Sequence, residues 1–433
     1  MAHFTFRGGI ELREDKERTK DLPIQEVLPG KLLYFPLQHQ EKPLVIPGEY
    51  VLAGQLLARS DEDSMSRIHS SVSGVVRAIE DHKTICENAC SCIVIENDEK
   101  YKEVDFGDFV EADDLENRQI LARIKSAGVV DTASGGEPVF HKLAVKEPHK
   151  IRHVIINCAE SEPYLTSKYR CAVERPEWIV EGLRILLKLF PNAKGIMAIE
   201  NDRPEAITAL QKIFADSRNM KIIPMKRKYP QDQERMLIYA CTGKKINASK
   251  TAEEARCVVL NSDTVYAICN AVTFGKPMYK RLMTVSGDCV RDPQNMEVST
   301  GCLLSDLIAA TGEYLEQPDQ LICGGPMTGR LLESLKVPVT KEMNALLCLK
   351  REKKTEEIEM CIGCGFCVDV CNEQLLPTRV AKAALQGNRE QFLKLGGMEC
   401  CECGSCSYIC PSGRPLTQMI RNMKRQSLSE TER

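Results

Sequence analysis

The sequence predicts a multidomain chain of α/β and α+β units that ends in a small cysteine-rich domain, and three observations carry that prediction. Apolar stretches alternate with amphipathic ones from about residue 115 to 250, the pattern of helices crossing between strands of an open parallel sheet. From 280 to 312 two strand-like stretches follow one another before a single helix, the order of an α+β module. Nine of the 21 cysteines fall between 361 and 410. The expected units are a barrel-like N-terminal domain over 1–105, the α/β domain over 115–255, the α+β module over 256–345 and the cysteine domain over 355–425.

Composition sets outer limits. The 433 residues are 43% hydrophobic and 27% charged, ordinary for a soluble globular protein. The formal net charge is −3 and Lys and Arg form no long block, which argues against nucleic acid as a partner. No stretch approaches about 18 uninterrupted apolar residues. The best candidate, 178–190, is broken by Glu181, Arg184 and Lys188 at helical spacing, so it reads as an amphipathic helix on a core. The opening MAHFTFRGGIELRED lacks the apolar core of a signal peptide. The chain is therefore expected in the cytoplasm, with any membrane attachment made through a partner.

Residues 30–100 read as short strands cut by turns at Pro47-Gly48, Gly54 and Ser73-Gly74. The run from Pro47 to Gln55, followed by His69 to Val76, resembles the flattened barrel of biotinyl and lipoyl carrier domains. A carrier needs an exposed lysine at its hairpin tip, and 59–67 (RSDEDSMSR) has none, so this copy is expected to be structural.

In the α/β region a helix over 115–127 leads into a glycine-containing loop, 128–136. Strands are expected over 153–157, 195–199 and 221–224, and helices over 177–190 and 204–215. Ligands in such sheets sit in loops at the carboxyl ends of strands, which makes the loop after Ile156 a candidate site. Strands over 282–285 and 296–299 and a helix over 303–310 then build the α+β module. Residues 348–360 (CLKREKKTEEIEM) read as a charged, solvated connector, and the twelve cysteines outside 361–410 as mostly buried small hydrophobes.

The cysteine domain carries the chemistry. Cys361, Cys364, Cys367 and Cys371 are spaced x2, x2, x3, and Cys400, Cys403, Cys406 and Cys410 repeat that spacing before Pro411. Two residues between cysteines let a tight loop aim successive thiolates at neighbouring corners of one cubane, and Gly363, Gly365 and Gly404 let the backbone fold close to it. Structural zinc takes four ligands, usually as two separated pairs, and has no use for a third cysteine two residues on. The runs therefore predict two [4Fe–4S] clusters and one-electron chemistry. In two-cluster ferredoxins the fourth cysteine of each run ligates the other cluster. One cluster is thus assigned to Cys361, Cys364, Cys367 and Cys410, the other to Cys400, Cys403, Cys406 and Cys371. Asn372 stands where a proline often follows, and Cys401 is a thiol the register does not need.

These parts in this order resemble the RnfC family of iron–sulfur proteins, which serve the Rnf electron-transport complex and are relatives of the flavin-bearing, NADH-oxidising subunit of respiratory complex I. The resemblance rests on Phe4 to Ile10, on Ile68 to Gly74, and on Asn157, Ala159, Glu160, Glu162, Pro163, Tyr164, Leu165 and Thr166. It rests also on Lys228-Tyr229-Pro230-Gln231 with Glu234, on Cys323-Gly324-Gly325-Pro326-Met327 with Gly329, and on the paired cysteine runs. It implies a flavoprotein-like α/β domain, a β-grasp-like module and a ferredoxin-like end. It also implies a place on the inner face of the cell membrane through partner subunits.

The resemblance further implies FMN and NADH, with Lys142, Asn157, Glu160 and Glu162 around flavin and nicotinamide. The loop over 128–143 (GVVDTASGGEPVFHKL) departs from the family's glycine-rich pattern: Asp131, Ala133 and Ser134 replace glycines and Glu137 takes an aromatic position. A β-carbon there restricts close approach to a phosphate, while Asp131 and Glu137 add charge of the wrong sign. Gly135-Gly136 leaves a glycine pair in a shifted register. An NADH-oxidising flavo-iron–sulfur subunit and a flavin-free electron adaptor serving a soluble reductase both stand at this point.

Overall fold

Turn residues break the stretch from 28 to 100 into strands that are mostly short, and these close around one core. In the computed structural model, which describes residues 4–38, 41–60, 67–85, 89–132, 135–214, 218–351 and 360–431, β1 (Gln25–Val27) precedes the barrel. The barrel holds β2 (Leu32–Pro36), β3 (Lys42–Pro43), β4 (Tyr50–Val51), β5 (Leu56–Arg59), β6 (Arg67–His69), β7 (Gly74–Lys83) and β8 (Ala89–Asn97). They form a four-stranded sheet, β2-β8-β7-β4, and a three-stranded one, β3-β5-β6. Both contribute to a core of Leu33, Phe35, Val51, Leu57, Val76, Ile93 and Ile95. The carrier-type hairpin tip (61–66), Cys86, Ala133, Ser134, Ala215 and the connector from 352 to 359 lie outside the described residues.

The α/β domain begins with α1 (Asn117–Ser126), the β9–β10 hairpin (Val130–Asp131 with Glu137–Pro138) and α2 (Val139–Leu143). There follow β11 (His153–Asn157), α3 (Ser167–Glu174), α4 (Pro176–Leu189), β12 (Lys194–Glu200), α5 (Pro204–Phe214), β13 (Met220–Met225), α6 (Glu234–Thr242), β14 (Cys257–Asn261) and α7 (Ser262–Thr273). The four long strands are parallel in the order β13-β12-β11-β14. Val154, Ile156, Met197 and Leu260 face the core under α1, α4, α5 and α7. Ile155, Ile196 and Ala198 face the core under α6. Burial on both faces explains why these strands read as continuous apolar runs.

The expected boundary at 255/256 needs correction. It falls just before β14, which pairs with β11 residue for residue, from His153 with Cys257 to Asn157 with Asn261. The α/β unit therefore continues through α7. Nothing local distinguishes a fourth parallel strand from the first strand of a new module.

The module is a mixed six-stranded sheet, β1-β16-β15-β19-β17-β18. Its strands are β15 (Lys280–Ser286), β16 (Gln294–Ser299), β17 (Gln320–Cys323), β18 (Arg330–Leu332) and β19 (Ala345–Leu349), packed on α8 (Leu304–Ala310). Cys348 and Leu349, expected in the connector, are buried in β19.

Residues before β2 make their pairings outside the two barrel sheets. Phe4 bridges to Met225, Ile10 to Tyr229, and β1 pairs in parallel with β16. This strap ties the module and the α/β sheet to the last domain. There, α9 (Phe366–Asp369) and α12 (Ser405–Tyr408) each follow a glycine of positive φ (Gly365 at 83°, Gly404 at 84°). Around them, α10 (Pro377–Leu385), α11 (Arg389–Lys394) and α13 (Leu416–Thr431) complete a core of Val380, Phe392, Leu416 and Ile420.

Candidate functional site

The two cysteine runs fold back on each other. Cys371, from the end of the first run, lines one pocket with Cys400, Cys403 and Cys406 of the second, together with Leu375, Pro377, Thr417 and Ile420. Main-chain N–H groups already point at two of these sulfurs: Leu375 donates to Cys371 Sγ at 3.3 Å and Glu402 to Cys400 Sγ at 3.4 Å. Thr417 Oγ1 stands 3.4 Å from Cys406 Sγ. On the other side, burial raises the Cys367 thiol, and the neighbouring Cys364, Cys410 and Cys361 push it the same way. Cys361 and Cys364 are exposed.

This arrangement fits two cubanes. Among the described residues no three potential ligands converge tightly enough to hold a single metal ion, and a cubane does not ask them to, since its four thiolates bind four different corners. Burial lifts Cys400 to about 12, so a cluster seated there would have to hold that thiolate deprotonated.

The pocket with Cys371 is pressed against the α/β domain. The Tyr229 hydroxyl donates to the Cys403 carbonyl oxygen. Ile10, Tyr229 and Cys403 form a small core that Leu12, Met327, Val370 and Cys401 cover. Gly9 donates from its N–H to Val370 O at 2.8 Å. Arg235, on α6, reaches Glu373 and Glu399 at 3.3 Å each and donates to Glu399 O at 2.9 Å.

Glu162 belongs to the same contact. Its carboxylate accepts from the Met327 N–H at 2.9 Å and from the Thr328 hydroxyl. A β-carbon on Gly325 would meet Glu162 Oε2 at 2.3 Å, so only glycine lets the two segments approach. Burial pushes the Glu162 carboxyl up to about 7, against the hydrogen bonds from Thr328 and Met327. Glu160 is committed elsewhere: both oxygens accept from the first-turn N–H groups of α3, Lys168 and Tyr169, at 3.2 Å. Both glutamates are buried, not solvated as a plain turn would leave them.

The order β13-β12-β11-β14 reverses direction between β11 and β14, and ligands of open α/β sheets bind at such a switch point. Here the switch is spanned by Asn157 and Asn261, whose side chains meet at 2.8 Å; Asn157 also donates to Asp232 O at 3.2 Å. Asn261 donates to Thr132 Oγ1 at 2.8 Å, and Thr132 to Asp263 at 3.2 Å. Lys142 lies 2.6 Å from Asp131 and 3.0 Å from Glu234. Burial acts to lower the Lys142 pKa, but those two carboxylates outweigh it and the net shift is upward.

Measured against the flavin that the resemblance implies, this cleft fits in position but not in charge. The cations around it already face carboxylates: half-buried Lys142 faces Asp131, and buried Lys168 and Arg281 face Asp232 at 3.9 Å and Asp263 at 2.9 Å. Glu137 is exposed. Of the four residues expected around flavin, Asn157 and Lys142 stand at the strand ends, while Glu160 and Glu162 hold main chain. Thr132, Asn261 and Asp263 join Asn157 there; the last two lie beyond the expected domain boundary, which hides them from the sequence.

Fold and cysteine pocket together define an iron–sulfur electron-transfer protein built on a flavoprotein-type α/β domain. Family models match in the same order: the RnfC barrel sandwich hybrid domain over 4–100, the Nuo51 FMN-binding domain over 124–270 and a 4Fe-4S dicluster domain over 360–414. The chain belongs to the RnfC family of the Rnf ion-translocating complexes. It is 34% identical to the RnfC-type protein of the proton-translocating ferredoxin:NAD(+) oxidoreductase complex of Clostridium ljungdahlii, over 99% of this chain and 95% of that one. It is 31% identical to the corresponding protein of the Na(+)-translocating ferredoxin:NAD(+) oxidoreductase complex of Acetobacterium woodii, over 99% and 98%. An NAD+-reducing [NiFe]-hydrogenase in the air-oxidized state shares the fold over 73% of this chain and 64% of its own, with a TM-score of 0.52 at 18% identity. No helix among the described residues is long and apolar enough to cross a membrane.

Proposed function

We propose that the chain carries single electrons through two [4Fe–4S] clusters as the RnfC component of a membrane-attached electron-transport complex, on the side where NADH or a flavin is oxidised or reduced. The observation that carries this is the meeting of Cys371 with Cys400, Cys403 and Cys406 in one pocket. Cys400, Cys403, Cys406 and Cys371 hold the inner cluster; Cys361, Cys364, Cys367 and Cys410 hold the outer one. Bound there, each cluster takes up and releases one electron at a time.

The protein's own part is placement. Tyr229, Ile10, Leu12 and Met327 keep water from the inner side, next to the α/β domain. Exposed Cys361 and Cys364 leave the outer cluster open to a partner, here the other components of the complex, which hold the chain on the inner face of the membrane. The names of the relatives point to ferredoxin and NAD(+) as the two ends of the chain of transfers.

A second reading, a flavin-free adaptor for a soluble flavoprotein or reductase, is favoured by one observation: Asp131 pairs with Lys142, a residue expected around flavin and nicotinamide. An anaerobic absorbance spectrum with iron and extracted-flavin counts, followed by NADH, decides. About eight irons with bound FMN and bleaching by NADH support the first reading. The same iron without flavin, reduced by dithionite and not by NADH, supports the adaptor. No iron–sulfur absorbance overturns both.

A further inference from the structure

The four parallel strands of the α/β domain have a second end, opposite the cleft, and it is basic. Arg152 precedes β11, Lys194 opens β12, Lys221 is the second residue of β13 and Arg256 precedes β14. The register sets them side by side. Arg152 donates from its N–H to Arg256 O at 2.8 Å, and Lys194 from its N–H to Arg152 O at 2.9 Å. Gly195, next to Lys194, pairs with Met220, next to Lys221. Lys244, just after α6, donates from Nζ to Ala255 O at 2.8 Å. With Lys150, close before Arg152, all six residues are exposed. His153 stands among them: burial lowers its pKa, and Lys244, Lys221 and Lys194 push the same way.

Carboxylates do not balance this edge. Of the six cations only Lys150 has a carboxylate partner among the described residues, Glu147 at 2.6 Å. Glu253 and Glu254 are exposed on the loop that carries Lys244, and Glu254 turns back to accept from the Thr251 N–H at 2.8 Å. Helix C-termini at this end favour a cation in a last turn, but Arg152, Lys194, Lys221 and Arg256 stand at strand starts. In a chain of formal net charge −3 the edge is a local excess of the opposite sign, and such a patch attracts an anionic surface.

Its make-up selects among anionic surfaces. A protein interface takes its affinity from aromatic and apolar anchors. No exposed large apolar side chain of the described residues lies on 146–153, 191–195, 218–221 or 243–256. Single-stranded nucleic acid stacks on aromatic rings, and these segments hold no Phe, Tyr or Trp. A bilayer with anionic headgroups asks only for the charge.

We propose that the basic edge of the α/β sheet rests on the anionic headgroup surface of the membrane. The proposal deepens the reading of a membrane-attached component and rests on it. Lys194 opens β12 and Glu200 closes it, so at about 3.3 Å per residue the lipid side lies about 20 Å from the strand-end cleft. The cleft then opens away from the membrane.

The test is sedimentation of the full chain with vesicles, with iron counted in every sample. At about 0.1 M salt, where charges are screened over about 10 Å, the chain is expected to sediment with vesicles of equal parts phosphatidylcholine and phosphatidylglycerol. It is expected to stay in solution with phosphatidylcholine alone. At about 1 M salt, where screening shortens to about 3 Å, the mixed vesicles release it. Arg152→Gln, Lys194→Gln and Lys221→Gln together lower the partition coefficient about 100-fold, at about fivefold per charge. Arg379→Gln, Lys382→Gln and Arg389→Gln, which remove exposed cations of the cysteine domain, leave it unchanged. Equal sedimentation with both kinds of vesicle, or an equal fall in the two triple variants, overturns the proposal. Binding to polyglutamate but not to the mixed vesicles makes the partner an acidic protein and overturns the lipid assignment. A chain with about eight irons that ignores the mixed vesicles sinks this proposal alone. A chain without iron–sulfur absorbance sinks the reading it rests on.

Discussion

Lys142 Nζ lies 2.6 Å from the carboxylate of Asp131, a side chain with no exposed surface, at the place where the family's loop carries glycine. The pair puts a charge already neutralised beside the strand-end cleft, where the family resemblance would bring a flavin phosphate. Asp131→Asn removes the negative charge and leaves Lys142 shared only with Glu234. Like charges a few Å apart in a partly buried site cost on the order of 1–4 kcal/mol. The variant is therefore expected to bind FMN at least tenfold more tightly than the wild type, read by quenching of flavin fluorescence. Equal dissociation constants would place Asp131 outside the phosphate's path.

The parallel sheet and the cysteine runs are legible in the sequence because their signals are local. His153–Asn157 reads as a strand from five adjacent residues, and the cysteine spacing is written in eleven. What is not legible depends on distant pairing. Nothing in Gln25–Val27 says that it joins β16, about 270 positions away in the chain. Nothing in Cys257–Asn261 says that it lies beside β11. The contacts of two of the expected flavin residues are illegible for a related reason. Glu160 and Glu162 sit in a motif, but their roles are set by the α3 amides and by Gly325, which only the folded chain brings to them.

Glu162 makes stability depend on pH. Its folded pKa of about 7 lies above the ordinary 4.5, so the folded state binds the extra proton. Its contribution is fully present below about 4.5 and is lost as pH rises through about 7, with a difference on the order of 3 kcal/mol. Urea unfolding of the wild type is expected to show stability falling across that window. In Glu162→Gln the fall flattens. An equal slope in both would assign the pH dependence to other groups.

Gly8 packs against Cys371, a proposed inner-cluster ligand, from the far end of the chain. Its φ is 77°, and a β-carbon would lie 2.7 Å from Cys371 O and 2.9 Å from Asn372 N. Gly8→Ala combines backbone strain of about 1–3 kcal/mol with a clash against the ligand's own main chain. The expected result is selective: iron falls from about eight to about four per chain, and the surviving EPR signal is that of the outer cluster. Full iron in the variant would show that the strap docks after the cluster is formed and carries no weight in holding it.

Cross-ligation gives the sharpest test of the cysteine assignment, because it makes partners of residues far apart in sequence. Cys371 follows the first run but lines the pocket of the second. Cys410 follows the second run but is an electrostatic neighbour of Cys367 in the first. If each run kept its own four ligands, Cys371→Ala would damage the same cluster as Cys361→Ala. With the ligands crossed, Cys371→Ala matches Cys403→Ala, and Cys410→Ala matches Cys361→Ala. Each pair leaves about four irons but a different surviving midpoint potential. The two survivors are told apart by solvent: Cys361 and Cys364 are exposed, whereas Cys403 and Cys406 are buried. Exposure of a cluster to water is one of the terms that set its potential, and an open cluster also meets oxygen sooner. The chain left with only its outer cluster is therefore expected to bleach faster in air than the chain left with only its inner one. Identical bleaching rates and potentials after Cys371→Ala and Cys410→Ala would mean that the folded-back arrangement of the two runs does not set the ligands.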